Sequence, residues 1–298
     1  MTFEMPPGPV VLEPQDSPEH PLAPWFAHAR EVRHRHYAAR ERAPLRRSRA
    51  LVTMVHNESV FLPIWLRYYS RFFAADDIYV LDNDTTDRST ERGGFVRIPA
   101  AHDTVDHTWM VRTIEGLQHE LLERYAMVLV TDVDEIVCPV PEWGTLGSYL
   151  DRFDEEWVNC LGYELAHRPD TEAPLRLDRP ILDQRGHWFF NDGYNKAALA
   201  STPLTWKPGF HGRADQHANL DPDLRLIHLH RMDYGICRER HRTRRRKPWA
   251  EEDADRGWAV HNRLTEDAEF DRWFTEDSGF PGIPMRLERI PAAWRGLF

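Results

Sequence analysis

Two aspartates separated by one residue follow a short apolar run near the middle of the chain. Asp132 and Asp134 follow residues 126–130, which are all apolar, with only Thr131 between the run and Asp132. On an extended backbone, carboxylates at positions i and i+2 point the same way and repel each other unless a cation neutralises them. A hard divalent ion takes oxygen ligands and often shares its shell with substrate phosphates. The pair therefore predicts a site for a divalent cation and a diphosphate, with a structural acidic turn as the alternative.

Histidines in the second half of the chain offer a different kind of ligand. His228 and His230 alternate with apolar residues, so a strand would carry both imidazoles on one face. Imidazole suits Mn²⁺-class ions better than a purely carboxylate site does. His228 is the first candidate for a further metal ligand and His211 the second, and a hydrogen-bonded structural histidine is the alternative for either. A zinc hydrolase site is disfavoured, because no third histidine follows at the spacing such sites use.

The elements that must position these residues alternate between strands and helices in the first half of the chain. Apolar runs predict strands and helix-like spacing predicts helices: strands at residues 50–55, 77–81 and 126–130, and helices at 61–73 and 111–125. This order predicts an α/β fold with right-handed βαβ units and a mostly parallel sheet flanked by helices. Ligands bind beyond the carboxyl ends of such strands, so Asn57, Asp82 and Asp132 should converge at one edge of the sheet.

The second half of the chain has a different pattern. Short strand-like segments separated by proline and glycine cover residues 157–166, 195–201 and 224–230, and long helices are lacking until after Tyr234. We expect these segments to complete the sheet and to build a wall on the acceptor side of the site. The predicted division is an N-terminal appendage over 1–48, proline-rich and then helical, a catalytic domain over 49–248, and a helical or irregular C-terminal extension over 249–298.

Composition excludes several classes of protein. The chain has 298 residues, of which 41% are hydrophobic, and a net charge of −10, which disfavours a nucleic-acid binder. No run of about 18 apolar residues predicts a transmembrane helix, and the N-terminus lacks a secretory signal pattern. Three widely spaced cysteines argue against a disulfide framework, so a reducing cytoplasm is the expected location. Positive charge is nearly all arginine, which is typical of a GC-rich bacterial genome.

Four motifs in order resemble those of a known enzyme family. They are Val55-His56-Asn57-Glu58, Trp65-Leu66-Arg67-Tyr68-Tyr69, residues 80–87, which include Asp82, and Asp132-Val133-Asp134-Glu135-Ile136. Together they resemble the GT-A glycosyltransferases of the GT2-like group, and the layout is similar to that of GT92-type enzymes. Each motif by itself is unspecific, whereas four in the right order at strand ends are more specific. The resemblance covers roughly residues 51–138 and implies a GT-A, Rossmann-like fold.

The resemblance also implies roles for individual residues. In GT-A enzymes the segment that corresponds to Val55, His56, Asn57 and Glu58 cradles the nucleotide base, and Asp82 corresponds to an acidic residue that contacts base or ribose. Asp132 and Asp134 correspond to the motif that contacts ribose and metal, and a downstream histidine such as His228 often completes the metal shell. His56 departs from the family, which commonly has a lysine or arginine there, and residues 84–87 depart from the usual Asn-x-Ser-Thr-Asp.

Three further residues receive roles from the resemblance. The family often has a lysine where Lys196 lies, and its charge could reach the diphosphate; a surface lysine is the alternative. Inverting members need a base that takes the acceptor's proton, and Asp215 lies in the expected interval, with Asp192 as its rival. Without a base, a retaining mechanism stays open.

The arginine-dense stretch 238–247 is either a solvated helix face or a clamp for phosphate.

The sequence therefore predicts a glycosyltransferase that uses Mn²⁺ or Mg²⁺ and a nucleotide-sugar donor, a UDP- or GDP-sugar. The expected acceptor is a small molecule, a glycan or a natural product. One alternative is a nucleotidyltransferase on a similar fold, which the absence of glycine from residues 56–59 disfavours. The other is a non-catalytic protein that binds nucleotide sugars or carbohydrate.

Overall fold

A computed structural model describes residues 10–12, 27, 30–31, 48–278 and 285–298, and all structural statements below concern these residues. Most of the predicted N-terminal appendage, including its predicted helix, lies outside them. The strands are β1 Val10–Leu12, β2 Arg49–Val55, β3 Ile78–Asp82, β4 Val96–Pro99, β5 Met127–Val130, β6 Glu135–Pro139, β7 Trp157–Ala166, β8 His187–Phe190, β9 Ala197–Ala200, β10 Leu220–His228 and β11 Arg286–Arg289. The helices are α1 Phe61–Tyr69, α2 His107–Leu122, α3 Leu146–Leu150, α4 Tyr234–Arg244, α5 Glu251–Asp255 and α6 Asp267–Glu276.

The described strands form one sheet, and its first half is parallel as predicted. Strand β2 pairs in parallel with β3 and β5, and β3 pairs in parallel with β4. Every residue of β2 and of β5 is buried, which explains why both read as continuous apolar runs rather than as alternating patterns. Beyond β5 the sheet is mixed, because β9 is antiparallel to both β5 and β7. The expectation of a mostly parallel sheet thus holds for the first half only.

The direction of the chain reverses beside β2. From β2 the chain moves outward to β3 and β4, and it then returns to place β5 on the other side of β2. In α/β sheets a crevice opens at the carboxyl ends of the two strands that flank such a switch point, and ligands bind there. The crevice here lies between residue 56, which follows β2, and residue 131, which follows β5.

Helix α1 fixes the segment that follows β5. Its buried face is aromatic, and three side chains reach across it: the indole Nε1 of Trp65 donates to Thr131 Oγ1 at 2.9 Å, and the hydroxyls of Tyr68 and Tyr69 donate to the carbonyls of Val137 and Glu135 at 3.0 and 3.2 Å. These side chains are buried, so the bonds are shielded from water. Helix α1 therefore holds both sides of the Asp132–Glu135 turn.

The elements predicted between residues 49 and 248 exist, but some bounds differ. Strand β7 has the predicted bounds, whereas α1 ends at Tyr69 instead of residue 73, and α2 begins at His107 instead of residue 111. Strand β11, within the predicted C-terminal extension, pairs with β8 and β1. The extension thus contributes a strand to the main sheet as well as helices. Within the described ranges, no helix is long and apolar enough to cross a membrane.

Candidate functional site

The two aspartates of the central motif lie in a tight turn. The amide of Glu135 donates to the carbonyl of Asp132 at 3.0 Å, so the backbone reverses between β5 and β6. The prediction that both carboxylates extend from one strand end was therefore wrong about the backbone. The turn gives the two side chains different surroundings: the Asp132 side chain is 38% exposed, and the Asp134 side chain is 5% exposed.

Asp134 is a buried carboxylate held by an arginine from a distant helix. Arg240 on α4 donates from Nη1 to Asp134 Oδ2 and from Nη2 to Glu58 Oε1 at 2.7 Å. Arg244 adds a contact of 3.2 Å to the same Glu58 oxygen. Burial alone would raise the pKa of Asp134, but Arg240, His228 and Arg244 together outweigh burial and keep that pKa well below its usual value. Asp134 is therefore an anion in the folded protein.

His228 lies between two carboxylates. Its Nε2 is 3.2 Å from Asp134 Oδ2, and its Nδ1 is 2.6 Å from Glu164 Oε2 on the neighbouring strand β7. Burial opposes its charge, but Glu164 and Asp134 outweigh burial and raise the pKa of His228 to about 10. Asp134, His228 and His230 also have potential ligand atoms within 4.8 Å of one another. A metal-binding histidine commonly donates its other ring nitrogen to a carboxylate, and Glu164 provides that partner.

The structure brings His228 and His230 together in a different way from the one predicted. Strand β10 ends at His228, and His230 lies beyond it in a turn. The two rings are nearly perpendicular, with their centroids 5.5 Å apart. The two histidines therefore do not reach Asp134 by alternating along one strand. The turn after β10 brings His230 to the same carboxylate as His228.

Asp132 is paired with the lysine that the sequence singled out. Lys196 Nζ, just before β9, is 2.6 Å from Asp132 Oδ2 and 2.6 Å from Glu135 Oε1. Burial alone would lower the pKa of Lys196, but the two carboxylates outweigh it and raise that pKa. Burial also raises the pKa of Glu135 to about 6, although Lys196 opposes the shift. Lys196 is buried, so the alternative of a surface lysine is wrong.

The loop after β2 holds the acidic loop after β3. Asn57 adopts a left-handed conformation with φ 57°, and its Oδ1 accepts hydrogen bonds from the amides of Thr86 and Asp87 at 2.8 and 3.0 Å. Asp87 in turn accepts from the amide of Ser59 at 3.1 Å. The loops after β2 and β3 therefore converge, as predicted, and Asn57 is the residue that joins them.

Asp82 at the end of β3 uses both carboxylate oxygens inside the protein. Oδ1 accepts from the amide of Thr85 at 2.9 Å, and Oδ2 accepts from Thr90 Oγ1 at 2.7 Å and from Arg97 Nε at 2.6 Å. Burial alone would raise the pKa of Asp82, but these hydrogen bonds outweigh burial and lower it. The residue predicted to contact a base or ribose is thus buried and holds its own loop.

Val55 and His56 are tied to the residue after Asp82. The amide of Asn83 donates to the carbonyl of Val55 at 2.8 Å, and His56 Nδ1 donates to the carbonyl of Asn83 at 2.7 Å. Lys247, which follows α4, donates to Asn83 Oδ1 at 3.0 Å. The end of the arginine-dense stretch thereby lies against the carboxyl end of β3.

Two of the predicted residues have other partners, and a third is exposed. His211 Nδ1 donates to the carbonyl of Gly193 at 2.5 Å, and His211 belongs to no cluster of three potential metal ligands among the described residues. Asp215 is exposed and accepts two hydrogen bonds from Arg213, at 2.7 and 2.9 Å, which lower its pKa. A carboxylate held in this way is a weak base. Asp192 is exposed in a short turn before β9.

Sequence reasoning missed two residues of the site. Arg240 belongs to the stretch interpreted either as a solvated face or as a phosphate clamp, but it is buried and paired with carboxylates. Only its position on the buried face of α4, which also carries Cys237 and His241, could have distinguished it from exposed neighbours such as Arg242. Glu164 is buried in a strand whose other residues are mainly apolar, and one charged residue in such a strand is a recognisable signal.

Two depressions on the surface of the described residues could hold a ligand. A small one is lined by Asp132, Glu135, Lys196, Trp206 and Phe210 at the predicted site. A larger groove of about 580 Å³ runs along α2 and the edge strand β4, is lined by Trp109 and Arg112 among others, and contains none of the predicted site residues. We place the site beside the first, because Asp132, Glu135 and Lys196 line it and the buried Asp134 belongs to the same turn as Asp132. No family model matches the chain, and no curated protein matches it.

Proposed function

We propose that this chain is a GT-A-type glycosyltransferase that moves a sugar from a UDP- or GDP-sugar to a small-molecule, glycan or natural-product acceptor. The observation that carries the proposal is that Arg240 joins Glu58, which follows β2, to Asp134, which follows β5. These two segments flank the switch point, where an α/β sheet binds its ligand. Strand order supports the same proposal, because β4, β3, β2 and β5 are parallel and β9 follows them in the opposite direction.

The donor groups fit a divalent ion. Asp134 offers a carboxylate and His228 an imidazole, and Glu164 orients His228. This mixed oxygen and nitrogen set favours Mn²⁺ over Mg²⁺. The ion would stabilise the negative charge that develops on the departing nucleotide diphosphate.

Cationic side chains of the chain itself would bind the same diphosphate. Lys196 is the point charge nearest to Asp132, and Arg244 lies beside Glu58 with its side chain 31% exposed. Arginine matches phosphate oxygens with two parallel hydrogen bonds, whereas lysine acts as a single charge. These residues would orient the donor and hold its negative charge in the crevice.

A thermal-shift screen with UDP- and GDP-sugars, each with and without Mn²⁺, tests the proposal. We expect one donor to stabilise the protein only when Mn²⁺ is present, and to release free nucleoside diphosphate when an acceptor is added. Asp134→Asn should remove both effects. Asp178→Asn, which alters an exposed ion pair with Arg176, should change neither.

The same screen separates the alternatives. Turnover of nucleoside triphosphates without turnover of nucleotide sugars would indicate a nucleotidyltransferase. Donor binding with no diphosphate release in any acceptor mixture would indicate a binding protein. Full activity of Asp134→Asn would contradict the proposed site.

A further inference from the structure

A second cluster of potential metal ligands lies behind the Asp134 site. Cys237 and His241 are four residues apart on α4, which puts them on the same face of the helix. His230, in the turn after β10, faces them. All three side chains are buried, and their ligand atoms lie within 4.8 Å of one another.

The distances are close to those of a tetrahedral thiolate–imidazole site. His230 Nε2 is 2.7 Å from His241 Nε2, and Cys237 Sγ is 3.8 Å from His241 Nε2. Zinc takes nitrogen ligands at about 2.0–2.1 Å and sulfur at about 2.3 Å, so tetrahedral ligand atoms lie about 3.3–3.6 Å apart. Small side-chain rotations would bring the three atoms to that spacing.

We propose that His230, Cys237 and His241 bind a zinc-class divalent ion in a structural site that is separate from the Asp134–His228 site. The inference is independent of the proposed glycosyltransferase activity. Cys237 would bind as a thiolate and release its proton to solvent, and both imidazoles would bind through Nε2 as neutral rings.

Hydrogen bonds alone leave this cluster poorly satisfied. Two Nε2 atoms 2.7 Å apart can share only one proton, and a thiol is a weak donor and a weak acceptor. The remaining ring nitrogen of His241, Nδ1, is buried and has no hydrogen-bond partner. Around the three groups pack Phe270, Trp273 and Phe274, which offer no hydrogen-bond acceptor for it. An ion would satisfy the two Nε2 atoms and the sulfur together.

A fourth imidazole lies next to the cluster. The ring centroid of His261 is 5.5 Å from that of His230 and 6.0 Å from that of His241. The His261 ring stacks on Trp273, with 5.1 Å between centroids and an angle of 1° between planes. His261 is therefore our candidate for the fourth ligand of a four-coordinate shell.

The proposed ion would connect α4 to the turn after β10. Arg240 precedes His241 directly, so fixing His241 also fixes the start of the Arg240 side chain, which reaches Asp134 and Glu58. A structural ion at this position would therefore stabilise the fold and align the candidate site.

Cobalt substitution of the full-length protein tests the inference. After chelator treatment, Co²⁺ should bind with a stoichiometry of one ion per chain at this site and give the near-ultraviolet thiolate-to-cobalt absorption that carboxylate and imidazole ligands do not produce. Cys237→Ser should lose that absorption. Cys138→Ser, which alters another buried thiol, and Asp134→Asn, which alters the neighbouring site, should keep it. Zn²⁺ should displace the Co²⁺ and raise the Tm of the stripped protein.

Two results would overturn the inference. The first is wild-type protein that shows no thiolate-to-cobalt absorption at saturating Co²⁺, and the second is absorption that persists in Cys237→Ser. If Cys237→Ser does not fold, X-ray absorption spectroscopy of the zinc-loaded wild type can identify the atoms that bind the zinc ion. A sulfur atom in the first shell supports the site, and a shell of nitrogen and oxygen alone rejects it. In His261→Ala, we expect weaker Co²⁺ binding with the absorption retained; unchanged affinity would remove His261 from the shell.

Discussion

Arg240 donates to Asp134 with one arm of its guanidinium and to Glu58 with the other. The planar fork matches two separate carboxylates, one from the loop after β2 and one from the turn after β5. All three side chains are about 5% exposed, so the charges are compensated away from bulk water. Breaking such a buried network is far more costly than breaking a surface pair, because it leaves a charge buried without a partner.

Replacing Arg240 by lysine should destabilise the protein although the charge is kept. A lysine ammonium cannot donate to Glu58 and Asp134 with the same fixed geometry. We expect a loss of about 2–3 kcal/mol in the free energy of unfolding, which is typical of lost hydrogen bonds between charged groups. Denaturant titration measures this loss. Arg242→Lys on the same helix, where the side chain is 50% exposed, is the matched control and should change stability by less than about 0.5 kcal/mol. Equal stability of the two variants would contradict the network.

Glu164→Gln should weaken Mn²⁺ binding without removing a metal ligand. Glu164 accepts from His228 Nδ1 at 2.6 Å and thereby orients the ring and makes Nε2 a better ligand. Loss of such a partner typically weakens metal binding by about 10–100-fold. Calorimetric titration with Mn²⁺ measures the change, and Glu156→Gln, at an exposed position that precedes β7, is the control. A dissociation constant that stays within about twofold of the wild type would show that His228 is not oriented for metal.

Lys196→Met should leave Asp132 and the buried Glu135 without their cation. Removing one partner of a buried ion pair costs about 3–5 kcal/mol, and Glu135 would relieve part of that cost by binding a proton. The destabilisation should therefore be larger at pH 8 than at pH 5. Thermal unfolding at the two pH values checks this difference. Lys207→Met changes an exposed lysine and should leave the stability almost unchanged at both pH values. A destabilisation by Lys196→Met that does not depend on pH would contradict the pairing of Lys196 with Glu135.

Asp82 should contribute stability that disappears in acid. Its pKa is lowered in the folded protein by Thr90, Thr85 and Arg97. Such a group stabilises the fold above its unfolded pKa of about 3.9, and the contribution is lost as the pH falls through the lower folded value. Asp82→Asn should thus be less stable than wild type at pH 7 by about 2 kcal/mol, and the difference should shrink below about pH 4. Urea unfolding across this pH range measures it. Asp76→Asn, at an exposed position, is the control. A stability difference between Asp82→Asn and wild type that is the same at all pH values would contradict a lowered pKa for Asp82.

Much of the first half of the fold could be predicted because its signals are local. Continuous apolar runs are typical of buried parallel strands, and β2, β3 and β5 lie where such runs occur. Parallel pairing places all their carboxyl ends at one edge, and so the meeting of Asn57 with the loop after Asp82 followed from the order of elements. Strands β4, β6 and β8 were missed, because charged residues, prolines or a histidine interrupt or shorten their apolar runs.

The sequence by itself determined the types of residue at the site and the edge of the sheet where they gather, since strand direction and side-chain chemistry are encoded locally. Only the tertiary structure decided which charges neutralise which. Lys196 is 64 residues from Asp132, and Arg240 is 106 residues from Asp134 and 182 from Glu58. Pairings over such separations depend on which face of a helix is buried and on how the chain turns after β10. These are properties of the packed core, and no short stretch of sequence records them.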